Sequence, residues 1–137
     1  MKYKLAFLLI ISSVLLTTSC SKYQKLLKST DNELKYNKAI EFYQAGKYYK
    51  AQQLFDQIMV VYRGTDKAEL ISYYYANCYY EQGDNILAGY YFRTFNSNFP
   101  MSKYAEEAAY LSAYCSYLES PRSSLDQSST KDAINSL

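Results

Sequence analysis

The sequence predicts an all-α fold: a solenoid of antiparallel helix pairs, about two and a half repeats long and truncated at its C-terminus. Three observations predict it. The chain aligns with itself at an offset of 37 residues. Within each unit, apolar residues recur at the three- and four-residue spacing of a helix face, in two stretches parted by a glycine. Only 4 Gly and 2 Pro stand among 137 residues, too few for a disordered chain or the many turns of a β-sandwich.

That length holds one small domain. Its net charge of +2 cannot coat a phosphate backbone, so no nucleic-acid partner is expected. Histidine is absent, which excludes any imidazole base or metal ligand. There is no CxxC and no Gly-rich phosphate loop. Glu106 and Glu107 are adjacent, but neighbours on a helix point about 100° apart and do not share a site. The chain is therefore not expected to be an enzyme or to hold a metal or cofactor.

The elements follow in order. Thr30-Asp31-Asn32-Glu33 is a capping-box pattern opening a helix over about Asp31–Ala45. Leu34, Ala39, Phe42 and Tyr43 line its apolar side, and Gly46 ends it. A second helix, about Lys47–Tyr62, carries Ala51, Leu54, Phe55 and Ile58 on one face. Gly64 stops that helix, and Thr65 is placed to cap the next. The second unit repeats the plan as about Asp66–Gln82 and Asn85–Asn98, closed by Pro100. Ser102 is placed to cap a fifth helix, about Lys103–Leu118. The last unit is irregular: a polar loop with Ser120–Ser124 and Gln127–Ser129 precedes a helix bearing Ala133 and Leu137. The chain then stops where an apolar face begins, so the sequence reads as a fragment of a longer protein.

The register at 37 is detailed. Ala39 falls on Ala76 and Ala113, Phe42 on Tyr79, Gly46 on Gly83, Ala51 on Ala88, and Phe55 on Phe92. Small residues and aromatics at these spacings resemble the tetratricopeptide repeat. That resemblance implies stacked helix pairs over residues 31–137, with repeats at about 31–64, 66–100 and an incomplete 102–137. The small residues admit the neighbouring helix, and the aromatics fill the space between helices.

The N-terminus has another character. Lys2 and Lys4 precede an apolar stretch from Leu5 to Leu16, then Thr17-Thr18-Ser19 and Cys20. A basic start, a short apolar core and small residues before a cut form a secretory signal over residues 1–19. The core is too short for a comfortable membrane span of about 20 residues. Removing it takes away two lysines and leaves the side chains of the remaining chain neutral overall. Small residues followed by Cys resemble a bacterial lipoprotein signal. The resemblance implies lipidation of Cys20 and the outer membrane, inner-facing leaflet, as the location; residues 20–30, with Lys22, Lys25 and Lys28, read as a tether with some helix. Cys78 and Cys115 lie 37 residues apart. They read as small buried residues at equivalent sites, because stacked helices lie about 8–10 Å apart and a disulfide needs Cα atoms within about 7 Å.

Tyrosine is the oddest feature, with 18 copies and no Trp. Tyr36, Tyr73 and Tyr110 form one series at 37, and Tyr43, Tyr80 and Tyr117 another. Members seven apart share a helix face, and Ile40, Asn77 and Tyr114 sit between them. In the resembled family these positions line the concave surface. Stacked, they would form a Tyr-rich groove suited to an extended peptide or a partner helix. Glu33, Glu81 and Glu107 flank it. The competing reading makes these tyrosines packing residues, since their face lies about 60° from the core stripe. Tyr74, Tyr75, Tyr90 and Tyr91 read as core or surface filler.

The pattern Tyr43-Gln44-Ala45-Gly46-Lys47-Tyr48 with Phe55, and Tyr104-Ala105-Glu106-Glu107-Ala108 after Pro100, resembles the N-terminal repeats of the BamD/ComL family of outer-membrane protein assembly lipoproteins. The resemblance implies a non-enzymatic subunit of the β-barrel assembly machinery. Its N-terminal repeats would hold a segment of an unfolded barrel substrate, and later repeats would dock a BamA-like barrel subunit and other subunits. The alternatives are a SusD-like nutrient-binding lipoprotein, with Tyr stacked on sugar rings, and another repeat-type scaffold lipoprotein.

Overall fold

The computed structural model describes residues 22–120 and 128–135. Among them are helices and turns and no strand. Residues 22–27 form α1. The first pair is α2 (Asn32–Gln44) and α3 (Tyr48–Met59), the second α4 (Asp66–Glu81) and α5 (Asn85–Asn98), and the third α6 (Ala105–Leu118) and α7 (Ser128–Asn135). From α2 onward each helix packs on the next in sequence, the quasi-one-dimensional stacking of a solenoid. The expected all-α helical repeat is the fold observed.

Local chemistry sets the ends. Gly46 and Gly83 have φ of 68° and 78°. Each follows a helix whose final carbonyls are closed in the same way. Gly46 N–H donates to Tyr43 O and Lys47 N–H to Phe42 O; Gly83 N–H donates to Tyr80 O and Asp84 N–H to Tyr79 O. This double closure needs a left-handed residue, which glycine adopts without a Cβ penalty. The 37-residue glycine repeat is thus one turn built twice.

The caps differ from the expected ones. Asp31, not Thr30, caps α2, its carboxylate accepting from Leu34 N–H at 2.9 Å. Glu33 turns away from the cap toward Lys67 and the Tyr62 hydroxyl. Thr65 stands at the start of α4 but donates its hydroxyl to Tyr62 O. Ser102 accepts from Tyr104 N–H and donates to Glu69, holding the turn before α6 rather than capping it. At Glu33 cross-element partners outcompete the local amide, whereas Thr65 turns to a carbonyl three residues back. The β-branched, exposed Val60 and Val61 lie in a turn, so α3 ends three residues early. Ser128 and Ser129, expected in a loop, begin α7.

Two apolar clusters hold the stack. The first joins Ala39, Ala51, Leu54, Phe55, Ile58 and Ile71; the second joins Ala76, Ala88, Phe92, Phe95, Ala108 and Cys115. Ala39, Ala51, Ala76 and Ala88 have no exposed surface, as repeat positions that admit a neighbouring helix require. Tyr74, Tyr79 and Tyr91 border both clusters and make them continuous. The segment expected as a tether is in part α1, whose Tyr23, Leu26 and Leu27 pack against the first cluster. The Tyr23 hydroxyl shares its one proton between Lys50 O at 3.0 Å and Gln53 Oε1 at 2.9 Å. This helix covers apolar surface that an end repeat would otherwise leave open.

Cys78 and Cys115 are buried and free. Burial raises Cys78 from 9.0 to about 12, with Glu81 adding to it, and Cys115 to about 11, with Glu119 adding. Above pH 9 the unfolded chain releases protons that the folded state keeps. This contribution to stability is therefore intact below pH 9 and fades as pH rises toward 12. The urea midpoint is expected to fall across that window, and Cys78→Ala/Cys115→Ala to flatten the fall. A thiol reagent at pH 8 should leave both native thiols unmodified and label both on unfolding. Rapid labelling of the folded protein would contradict the buried placement.

Candidate functional site

The tyrosines expected to line a groove lie on α2, α4 and α6, the first helix of each pair. The expected groove members separate into three groups. Tyr73 and Asn77 are withdrawn into packing. Tyr73 is 6% exposed, with its ring stacked on Tyr104 at 4.3 Å and tilted against Phe92 and Phe95. Burial raises its phenol above the usual range, followed by a hydrogen bond with Glu107. Asn77 is buried and donates to Tyr73 O on its own helix. These two are supports beneath the surface, not its lining. The reason is the 60° offset between ladder and core stripe, which the stacking of α4 between two neighbours closes.

Tyr36, Tyr43, Ile40 and Tyr80 are half-buried. Tyr36 has a cation on its ring: Lys67 Nζ lies 4.5 Å from the centroid. Lys67 in turn pairs with Glu33, and together with Tyr62 it holds the Glu33 carboxylate below its ordinary range. Tyr43 stacks on Tyr74 at 4.3 Å and meets Tyr48 edge-on at 5.5 Å. Burial, then Cys78, raises the Tyr43 phenol. Tyr80 rests edge-on to Phe92 at 6.4 Å.

The third group is open. Tyr110 and Tyr117 are 59% and 64% exposed, and half-buried Tyr114 lies between them. The three rings run nearly parallel along α6, with centroids 6.0 Å and 6.2 Å apart. Beside them opens an apolar cavity of about 220 Å³, closed by Ala113 and by Thr130, Ala133 and Ile134 of α7. Flat aromatic faces next to an apolar recess can hold a peptide with aromatic or aliphatic side chains, and the hydroxyls can meet its backbone.

The spacing of 37 does not describe the actual ring contacts. Tyr43 pairs with Tyr74 rather than Tyr80, and Tyr73 with Tyr104 rather than Tyr36 or Tyr110. Sequence reasoning missed Tyr74 and Tyr104 as the links between successive first helices. Their signal was weak, because each sits one position off a repeating series or in a turn. Cys20 and the signal segment 1–19 lie outside the described residues. Among the described residues, no helix is long and apolar enough to cross a membrane.

Residues 28–137 match the YfiO family, described as outer membrane lipoprotein. No curated protein matches the chain.

Proposed function

The chain belongs to the YfiO family of outer membrane lipoproteins, the family of BamD, and from that premise we propose that it is a lipid-anchored, periplasm-facing subunit of the β-barrel assembly machinery. It binds segments of unfolded barrel substrate on its tyrosine surface and scaffolds a BamA-like barrel subunit and other subunits. The anchor is a lipid on Cys20. The proposal includes no enzymatic step and no cofactor beyond that lipid.

The observation that carries the substrate role is the row of Tyr110, Tyr114 and Tyr117 beside the apolar cavity at α7. Barrel strands alternate apolar and polar residues. A strand-length segment laid along α6 would place its apolar side chains on the rings and in the recess. Tyrosine offers such contact at low entropy cost, having few rotatable bonds.

Photo-crosslinking in cells tests this, with the probe placed in turn at Tyr73, Tyr80, Tyr110 and Tyr117 of the full-length protein. Adducts to nascent outer-membrane barrels are expected at Tyr110 and Tyr117, weaker ones at Tyr80, and none at buried Tyr73. Adducts confined to one fixed subunit would make this surface a docking face instead. Absence of adducts at both exposed positions would end the substrate-binding reading while leaving the fold intact.

A further inference from the structure

We propose that the groove between α1, α2 and the start of α3 seats an anionic phospholipid headgroup of the membrane that carries the Cys20 anchor. The groove has a volume of about 540 Å³, within the range of about 300–1,000 Å³ typical of small-molecule sites. Its floor is apolar, made by Tyr23, Leu26, Leu34 and Phe42. Its rim is cationic, made by Lys22, Lys25, Lys38, Lys47 and Lys50. Lys38 is paired with Glu41. The other four have no carboxylate within ion-pair distance among the described residues.

The rim is assembled by the fold. Lys22 and Lys25 come from α1, while Lys47 and Lys50 come from the turn into α3, more than twenty residues on. The aromatic floor holds the latter pair in place. Lys50 Nζ lies 5.1 Å from the Tyr23 centroid and 5.8 Å from that of Phe42, and Lys47 Nζ lies 6.0 Å from Phe42. Ammonium groups over an apolar floor match a lipid whose phosphate meets the rim and whose glycerol and first methylenes meet the floor.

Position selects a membrane lipid over an acidic protein segment, and this step rests on the reading of Cys20 as the lipidated residue. Cys20 precedes Lys22 by two residues. Two residues span at most about 7 Å. The groove therefore opens beside the anchor, where headgroup concentration is highest.

The test uses the mature chain, begun at residue 20 without the apolar segment 1–19 and carrying Cys20→Ser, so that neither a lipid nor the signal holds it to the bilayer. Its partition is measured onto vesicles of phosphatidylcholine alone and of phosphatidylcholine with about a quarter phosphatidylglycerol. Binding to the anionic vesicles only is expected, at about 0.05 M salt and not at about 0.5 M. Each lysine near an anionic surface changes partition about fivefold, so Lys47→Gln/Lys50→Gln should weaken it roughly twentyfold. Lys22→Gln/Lys25→Gln, on a separate helix, should do the same, and Lys131→Gln at the far end should do nothing. Binding that ignores lipid charge, or that survives both double variants, overturns the proposal. So does a lack of vesicle binding, and capture by polyglutamate in its place would identify a protein-docking groove. Mass spectrometry of the native protein reads Cys20 lipidation separately, so failure of the anchor reading is distinguishable from failure of the groove.

Discussion

Replacing Phe92 by alanine is expected to lower the unfolding free energy by about 3–5 kcal/mol. Its side chain has no exposed surface. It touches the rings of Tyr73 and Tyr80 on α4, and it belongs to the cluster that joins α4, α5 and α6. Three helices therefore lose a common partner at once. In a stacked fold each helix contacts mainly its neighbours, so the loss cannot be spread over a larger core. Domains are stable by about 5–15 kcal/mol in all, so this change removes a large share of the margin. Phe55→Ala is expected to match it, because Phe55 is fully buried at the equivalent position of the first unit. Urea unfolding followed by far-ultraviolet circular dichroism measures both. Tyr90→Ala is the control, since Tyr90 is 58% exposed and should shift stability by less than about 0.5 kcal/mol. A cost below about 1.5 kcal/mol for Phe92→Ala would mean that the helices collapse onto the space and that this ring is not a shared contact.

Gly89→Leu is expected to destabilise the protein by about 1–3 kcal/mol, against the direction that helix propensity alone predicts. Gly89 lies inside α5, where leucine is favoured over glycine by about 0.6–1 kcal/mol. A Cβ there would lie 3.2 Å from Cys115 Cβ and 3.6 Å from Ser112 O. Ser112 also donates its hydroxyl to Gly89 O at 3.1 Å, a bond made only at this close approach. Any larger side chain must push α6 away from α5. Because α6 carries Tyr110, Tyr114 and Tyr117, the displacement should also lower crosslinking of barrel substrate at Tyr110 and Tyr117. Urea unfolding and the crosslinking yield are read on the same variant. A stabilised protein with unchanged yield would show that the α5–α6 distance is not set by this glycine.

Much of this was legible before any coordinates, and the reason is periodicity. The repeat of Ala39, Ala76 and Ala113 marks positions where a helix must admit its neighbour, and all three are buried. Gly46 and Gly83 mark the turns, because few other residues tolerate their φ. Asn85–Asn98 was bounded correctly because Asp84, which caps it, and Pro100 flank it closely. The capping box at Thr30 does not form because Glu33 has partners 29 and 34 residues away, which a local pattern ignores; Thr65 holds the expected N-cap position but turns its hydroxyl to Tyr62 O, three residues back. α1 was missed as a packed element because six residues carry too little periodicity to stand out.

The candidate site was legible as a composition and not as a surface. An offset of 37 identifies tyrosines that share a helix face, yet it does not say how far a neighbouring helix overlaps that face. Overlap is decided by the packing of α4 between α3 and α5 and against the turn before α6, which buries Tyr73 and Asn77, while Tyr110 and Tyr117 stay in the open. The same holds for the lysines of α1 and α3, which are distant in sequence and face one groove. By itself the sequence determined the helix pairs, the repeat length and the buried small residues, because each depends on short-range spacing. Only the tertiary structure decided which tyrosines are support and which are surface, and which charges converge, because burial and juxtaposition depend on where neighbouring helices come to rest.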